Sequence, residues 1–238
     1  MSNQDDLGKS FAQQGFLIVE NVISDEEASG LADAVEGYNA ASSDRAALYG
    51  RRNLLRLPEI DRLAASPQLR NVVEPFLGKG AFAVRGLWFD KLPAANWRVA
   101  WHQDLTIAVC RRVEAPGFTA WSVKAGVEHV QPPDEVLARM LTVRLHLDDC
   151  GVDAGPLRVI AGSHRAERLS AEAIERWTRD GREIICCPRR GGALVMRPLL
   201  LHASSPANDP RHRRVIHLEF AADDLPFGLE WQTRVASS

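Results

Sequence analysis

Val99-Ala100-Trp101-His102-Gln103-Asp104-Leu105-Thr106-Ile107 is a largely apolar run that carries an imidazole and a carboxylate two positions apart. Its length and branched ends read as a β-strand. Residues i and i+2 of a strand point to one face. The reading therefore predicts His102 and Asp104 side by side, placed to grip one cation, with Trp101 and Gln103 turned away. Such a pair also recurs by chance, so a metal reading needs a third ligand from elsewhere in the chain.

On both sides of this run the texture is that of short strands, expected over Phe82 to Asp90, Met140 to Leu147, Leu157 to Ile160, Ile184 to Cys187, Ala193 to Arg197 and Val215 to Phe220. One helix, Ser170 to Arg179, interrupts them. Toward the N-terminus the pattern is helical. Ser24-Asp25-Glu26-Glu27 is a capping box followed by Ala28, Leu31, Val35 and Tyr38 at helical spacing. Ser66-Pro67 opens a second helix, which Gly78-Lys79-Gly80 stops. Gly15 to Val19 reads as a short buried strand, residues 1 to 15 as a frayed polar start, and Asn39 to Asn53 as a surface connection or a loop beside a substrate entrance. The economical architecture is mainly β with helical support. Residues 1–238 form a single domain in this reading, with a helical layer over 1–80 and a double-sheet jelly roll over 81–225, interrupted by insertions near 111–137 and 165–182.

The 238 residues are 45% hydrophobic and 25% charged, ordinary for a folded chain, and the net charge of −2 offers no basic footprint for nucleic acid. A small-molecule partner is expected. No apolar run reaches membrane-spanning length, and the start lacks the features of a secretory signal. Cys110, Cys150, Cys186 and Cys187 have no metal-binding spacing and read as free thiols, which fits a cytoplasmic location.

Among the remaining histidines, context singles out His202. It ends the Gly-led apolar run Gly191-Gly192-Ala193-Leu194-Val195-Met196-Arg197-Pro198-Leu199-Leu200-Leu201, which would deliver one rigidly held imidazole to the edge of the core. Arg213 then opens an alternating strand, with Arg213, Val215, His217 and Glu219 on one side and Arg214, Ile216, Leu218 and Phe220 on the other. A guanidinium at a strand mouth suits the distal carboxylate of a bound 2-oxoacid, because its planar fork grips carboxylates in bidentate fashion.

The combination of His102-x-Asp104, His202 and Arg213 resembles the phytanoyl-CoA dioxygenase family of Fe(II)/2-oxoglutarate oxygenases. So do the opening Gly15 to Val19 with its capped helix, the Gly155-Pro156-Leu157 and Gly162-Ser163-His164 turns, and the Arg213-Arg214 exit. The resemblance implies a double-stranded β-helix (jelly roll, cupin-like), and Fe(II) held by His102, Asp104 and His202 as the catalytic ligands. It implies 2-oxoglutarate on Arg213 and Ser204, O2 as oxidant, and hydroxylation of a small molecule with release of succinate and CO2. Leu105 stands where the family often has a small or hydroxylated residue. Asp104 is retained, whereas halogenating relatives replace it.

Arg85 and Lys91 before the iron motif, and Trp121 and Lys124 in the insertion after it, are candidate substrate contacts. Long insertions often act as lids, although this one has the residues for a small core of its own. His164 reads as a turn histidine that bonds to backbone carbonyls, and Arg144 and His146 share one face of their strand. Two other classes use the same residues: a zinc-dependent hydrolase and a non-catalytic jelly-roll binding protein.

Overall fold

The computed structural model describes residues 3–41 and 50–236. Helix α1 (Asn3–Gln14) is the first departure from expectation, since a frayed start was predicted. Tertiary packing decides it. Phe11 is almost wholly buried, its ring centroid 4.3 Å from that of Phe76, and Gly15 closes the helix by donating to the Phe11 carbonyl. One well-buried aromatic outweighs a weak amphipathic pattern, because helices in proteins are held mostly by tertiary contacts.

The capping box behaves as expected. In α2 (Asp25–Ala40) the Glu27 N–H donates to Ser24 Oγ at 3.1 Å, while the Ser24 N–H donates to Glu27 Oε2 at 2.8 Å. Ala28, Ala32 and Val35 form the buried stripe. Two further helices follow, α3 (Pro58–Ala65) and α4 (Pro67–Leu77), each with proline in its first turn. The middle of the Asn39 to Asn53 segment, 42–49, lies outside the described residues.

The helices cover one face of a large antiparallel sheet. Its strands are β1 (Phe16–Val19), β2 (Gly50–Arg51), β3 (Phe82–Asp90), β8 (Met140–His146), β11 (Ala193–Met196), β13 (Arg214–Ala221) and β14 (Val235–Ala236). They run in the order β1-β11-β8-β13-β3-β14, with β2 also on β3. Leu141, Val143 and Leu145 of β8 and Ile216, Leu218 and Phe220 of β13 pack on Ala28, Val35, Ile60 and Leu69 of the helices. The intervening Arg144, His217 and Glu219 face the other way, as strand alternation requires. A smaller sheet, ordered β10-β9-β12-β4, comprises β4 (Val99–His102), β9 (Leu157–Ile160), β10 (Glu183–Cys186) and β12 (His202–Ser204). Phe16, Leu194 and Met196 of the large sheet meet Leu157, Val159 and Cys186 of the small one, which closes one end of the space between them. Helix and strand occupy comparable lengths of chain, so the architecture is mixed α/β rather than mainly β.

The run that opened the sequence reading is not one strand. β4 ends at His102, residues 103–106 leave the sheet, and β5 (Ile107–Val109) joins a separate three-stranded sheet with β6 (Thr119–Lys124) and β7 (Val127–Gln131), ordered β5-β7-β6. Gln103 causes the break. Its buried side chain donates to the carbonyls of Leu199 (2.7 Å) and Glu167 (2.8 Å) and accepts from the Leu169 N–H at 2.8 Å, while the Asp104 N–H donates to the Pro198 carbonyl. Most of the insertion after the motif is thus an ordered hairpin. Ile107, Val109, Phe118 and Val130 give it a core, against which Trp121 packs.

Candidate metal and cosubstrate site

The space between the sheets opens into a cavity of about 450 Å³. His102 and His202 enter it from directly paired positions of β4 and β12, with ring centroids 4.2 Å apart. Asp104 reaches them from the irregular segment that Gln103 pins, its carboxylate oxygens 3.9 Å from His102 Nε2 and 3.7 Å from His202 Nε2. One donor atom from each of the three residues lies within 4.8 Å of the others, a separation suited to a single ion.

Both imidazoles are oriented alike. His102 Nδ1 lies 2.9 Å from the Ala100 carbonyl and His202 Nδ1 lies 2.8 Å from that of Leu200. A carbonyl only accepts, so each Nδ1 carries the proton and each Nε2 presents its lone pair to the centre of the trio. Asp104 Oδ2 is buried without a hydrogen-bond partner among the described residues, an arrangement rare for a carboxylate oxygen unless an ion is its intended partner. Burial pushes the Asp104 carboxyl up, but in acid, where the imidazoles of His202, His217 and His102 take up charge, these and the Arg85 guanidinium outweigh it and bring the group to about 2. His202 is lowered to about 4, chiefly by burial. Two imidazoles and one carboxylate form a donor set that leaves coordination positions open on iron, and the residues present fit that ion.

Arg213 lines the far end of the cavity, almost wholly buried. Its Nη1 donates to the Gly155 carbonyl, its backbone N–H donates to Asp90 Oδ1 at 3.1 Å, and its Nε has no partner among the described residues. Ser204 stands beside it on β12, where Lys91 Nζ donates to its hydroxyl at 3.3 Å and also to the Ser205 carbonyl. Burial, followed by repulsion from Arg213, lowers Lys91 to about 8. Arg144, also lining the cavity, donates to His217 Nδ1 at 2.9 Å, and its Nε has no partner among the described residues. Buried guanidinium groups with spare N–H donors make this end a receptor for a dianion. Arg214 points to the opposite face, toward Asp148 and Glu36.

A polar chain runs along the floor from this end toward the mouth. Because Arg144 only donates, His217 accepts at Nδ1 and carries its proton on Nε2, 3.4 Å from Glu219 Oε1. Glu219 in turn pairs with Arg85 at 3.0 Å, Arg85 reaches the Thr106 carbonyl, and Lys124 donates to Thr106 Oγ1 at 3.4 Å.

Of the substrate candidates read from sequence, Arg85 and Lys124 line the cavity. Lys91 lies behind its wall, fully buried, and Trp121 packs in the three-stranded sheet beside Arg112. His164 sits in a 3-10 turn with Nε2 3.2 Å from the Ala12 carbonyl. Sequence reading missed Arg52, Gln103 and the His217–Glu219 pair as parts of the cavity. The alternation of β13 signalled the last two, whereas Arg52 arrives through the non-local pairing of β2 with β3.

Residues 11–215 match the family model described as Phytanoyl-CoA dioxygenase (PhyH). An ectoine dioxygenase from Bordetella bronchiseptica is 26% identical over 172 residues, covering 67% of this chain and 49% of that protein. The chain thus spans about half the length of the curated relatives it matches. Among solved structures, apo EctD from S. alaskensis superposes with a TM-score of 0.74 at 19% identity, covering 100% of this chain and 87% of its own. The α-ketoglutarate-dependent carbocyclase SnoK from nogalamycin biosynthesis gives 0.71 at 15%, covering 94% and 85%. Such identities establish a shared fold.

Proposed function

Because this chain belongs to the phytanoyl-CoA dioxygenase family, we propose that it is an Fe(II)- and 2-oxoglutarate-dependent dioxygenase that hydroxylates a small molecule. The observation that carries the reading is the convergence of two Nε2 lone pairs and the orphaned Asp104 Oδ2 in a cavity whose far end holds Arg213. His102, Asp104 and His202 are the iron ligands in this reading. The strand orders of the two larger sheets and their facing cores support a double-stranded β-helix spanning 81–225 within one oxygenase domain, 1–238. Four free thiols support a reducing compartment such as the cytoplasm. Among the described residues no helix is long and apolar enough to cross a membrane.

Iron with 2-oxoglutarate supplies O2 activation and C–H oxidation, with succinate and CO2 as co-products. The chain's own residues bind and orient. Arg213 and Ser204 receive the distal carboxylate of 2-oxoglutarate, and Lys91 holds the Ser204 hydroxyl in place from behind. The Ala100 and Leu200 carbonyls keep both ligating imidazoles in the metal-binding tautomer. Leu87, Phe89 and Leu157 make the apolar walls that exclude water from the reacting centre.

Anaerobic addition of Fe(II) and 2-oxoglutarate tests this reading. A visible metal-to-ligand charge-transfer band is expected, abolished by His102→Ala or His202→Ala. A protein that binds the metal but never develops the band would overturn it, in favour of a hydrolytic or non-catalytic site.

A further inference from the structure

The mouth of the cavity carries more positive charge than its structure uses. Among the described residues, five cationic side chains line the space against two carboxylates. Asp104 belongs to the metal trio, and Glu219 is taken by Arg85 and His217. Among the described residues, Arg52 and Lys124 are left without a carboxylate partner. Lys124 makes one hydrogen bond, to the neutral Thr106 hydroxyl, and Arg52 has no hydrogen-bond or ion-pair partner among the described residues.

Three separate elements deliver these charges to one place. Arg85 lies on β3, Lys124 ends β6 of the inserted hairpin, and Arg52 follows β2, whose pairing with β3 (Gly50 with Phe89, Arg51 with Trp88) brings it to the cavity. Gathering like charges carries an electrostatic cost, seen in the direction of their ionisation. Partial desolvation first, and then the Arg85 guanidinium, pushes both the exposed Arg52 and the half-buried Lys124 below their ordinary values. A simple solvated surface does not require three unrelated elements to converge their cations on a concave wall. An anion bound there would relieve the repulsion and engage the spare donors.

We infer that Arg52, Arg85 and Lys124 form a substrate subsite for an anionic group, a carboxylate or a phosphoryl, held at the cavity mouth with the rest of the substrate directed at the His102–Asp104–His202 trio. The designation of the ligand as substrate rests on the oxygenase reading; the anion site itself does not. Arg85 is already fixed by Glu219 and orients the wall, while Arg52 and Lys124 have donors to give. Arg offers a planar fork and Lys a point charge, which together suit a multi-oxygen anion.

Calorimetry on the anaerobic Fe(II)/2-oxoglutarate protein tests the subsite, using benzoate, phenyl phosphate and neutral benzamide as probes. With 2-oxoglutarate in place, the Arg213 end is filled. At least one anion should bind, with benzamide about tenfold weaker or worse, the size expected for a lost charge-assisted hydrogen bond. Benzoate and phenyl phosphate distinguish a carboxylate from a phosphoryl site. Arg52→Gln and Lys124→Gln should each weaken the preferred anion about tenfold, Lys124→Arg should retain it, and Arg56→Gln, exposed on the following turn, should leave it unchanged. No anion binding, equal affinity for benzamide, or wild-type affinity in both Gln variants would overturn the subsite. The charge-transfer band, read on the same samples, separates the two readings: anion binding without the band fells the oxygenase assignment and leaves the subsite standing.

Discussion

His102 and His202 sit directly opposite each other on antiparallel strands, and each turns its Nδ1 to the carbonyl two residues before it. The two imidazoles are therefore fixed by the same local device before any ion arrives. Only Asp104, held in the irregular segment after β4, completes the donor set. Replacing Asp104 with Ala should leave both imidazoles oriented yet reduce bound Fe(II) to about a tenth or less, on the scale by which even supporting contacts change metal affinity. Thermal unfolding with and without Mn(II) reads this. The wild type should gain melting temperature with the ion, and a similar gain in Asp104→Ala would show that the carboxylate is not a ligand.

Arg213 is buried with one N–H on the Gly155 carbonyl and an unpartnered Nε. Arg213→Lys keeps a charge but loses the planar fork, and should raise the 2-oxoglutarate concentration for half-maximal charge-transfer absorbance by about tenfold; Arg213→Ala should raise it further. An unchanged titration in both variants would move the anchor elsewhere, with Arg144 the next candidate.

Gly155 occupies the left-handed region (φ +64°, ψ +55°), and a Cβ built there would lie 2.6 Å from the Ser205 carbonyl oxygen and 2.9 Å from the Ala207 nitrogen. Neither backbone atom can yield without shifting the β12 exit that carries Ser204. Gly155→Ala should cost about 1–2 kcal/mol from the backbone conformation alone and also weaken 2-oxoglutarate binding, because the Gly155 carbonyl holds Arg213. Urea unfolding and the absorbance titration check the two effects. Loss of stability with intact cosubstrate binding would confine this turn to a structural role.

What the amino-acid pattern made legible was whatever depends on local periodicity. The alternation of β13 separates Arg213, His217 and Glu219 from Arg214, Ile216 and Leu218, and the structure sends the two sets to opposite faces. The capping box at Ser24 is equally local. The run around His102 was misread as one strand because its break depends on Gln103 bonding to Glu167, Leu169 and Leu199, all distant in sequence. His102 and Asp104 still meet, through the irregular segment after β4 rather than through pleating. Arg52 was invisible for the same reason, since a two-residue strand pairing with β3 has no periodicity to detect.

The Arg85–Glu219 pair is largely withdrawn from solvent, with side-chain exposures of 12% and 5%. Removing one partner of a buried pair leaves an uncompensated charge, so Glu219→Leu should destabilise the fold by about 3–5 kcal/mol. Combining it with Arg85→Met should recover much of that loss, because both charges then disappear together. Denaturant unfolding of the two single variants and the double closes the cycle, and strict additivity would mean that the pair does not interact.

Lys91 gives a pH signature opposite to that of a stabilising ion pair. It is fully buried, and burial followed by Arg213 lowers it to about 8, against roughly 10.4 in an unfolded chain. Below pH 8 both states carry the proton, and the folded state bears the whole cost of the buried cation. Between about pH 8 and 10 the unfolded chain binds more protons than the native one, so this group's contribution to stability rises with pH. Lys91→Met removes the cost along with the hydrogen bonds to Ser204 and Ser205. The variant should be more stable than wild type at pH 7, by about 1–3 kcal/mol, and the advantage should shrink at pH 9.5. The variant should also bind 2-oxoglutarate more weakly, because nothing then fixes the Ser204 hydroxyl. Urea titrations at the two pH values decide the matter, and a stability difference that does not move with pH would mean that Lys91 keeps its ordinary ionisation within the fold.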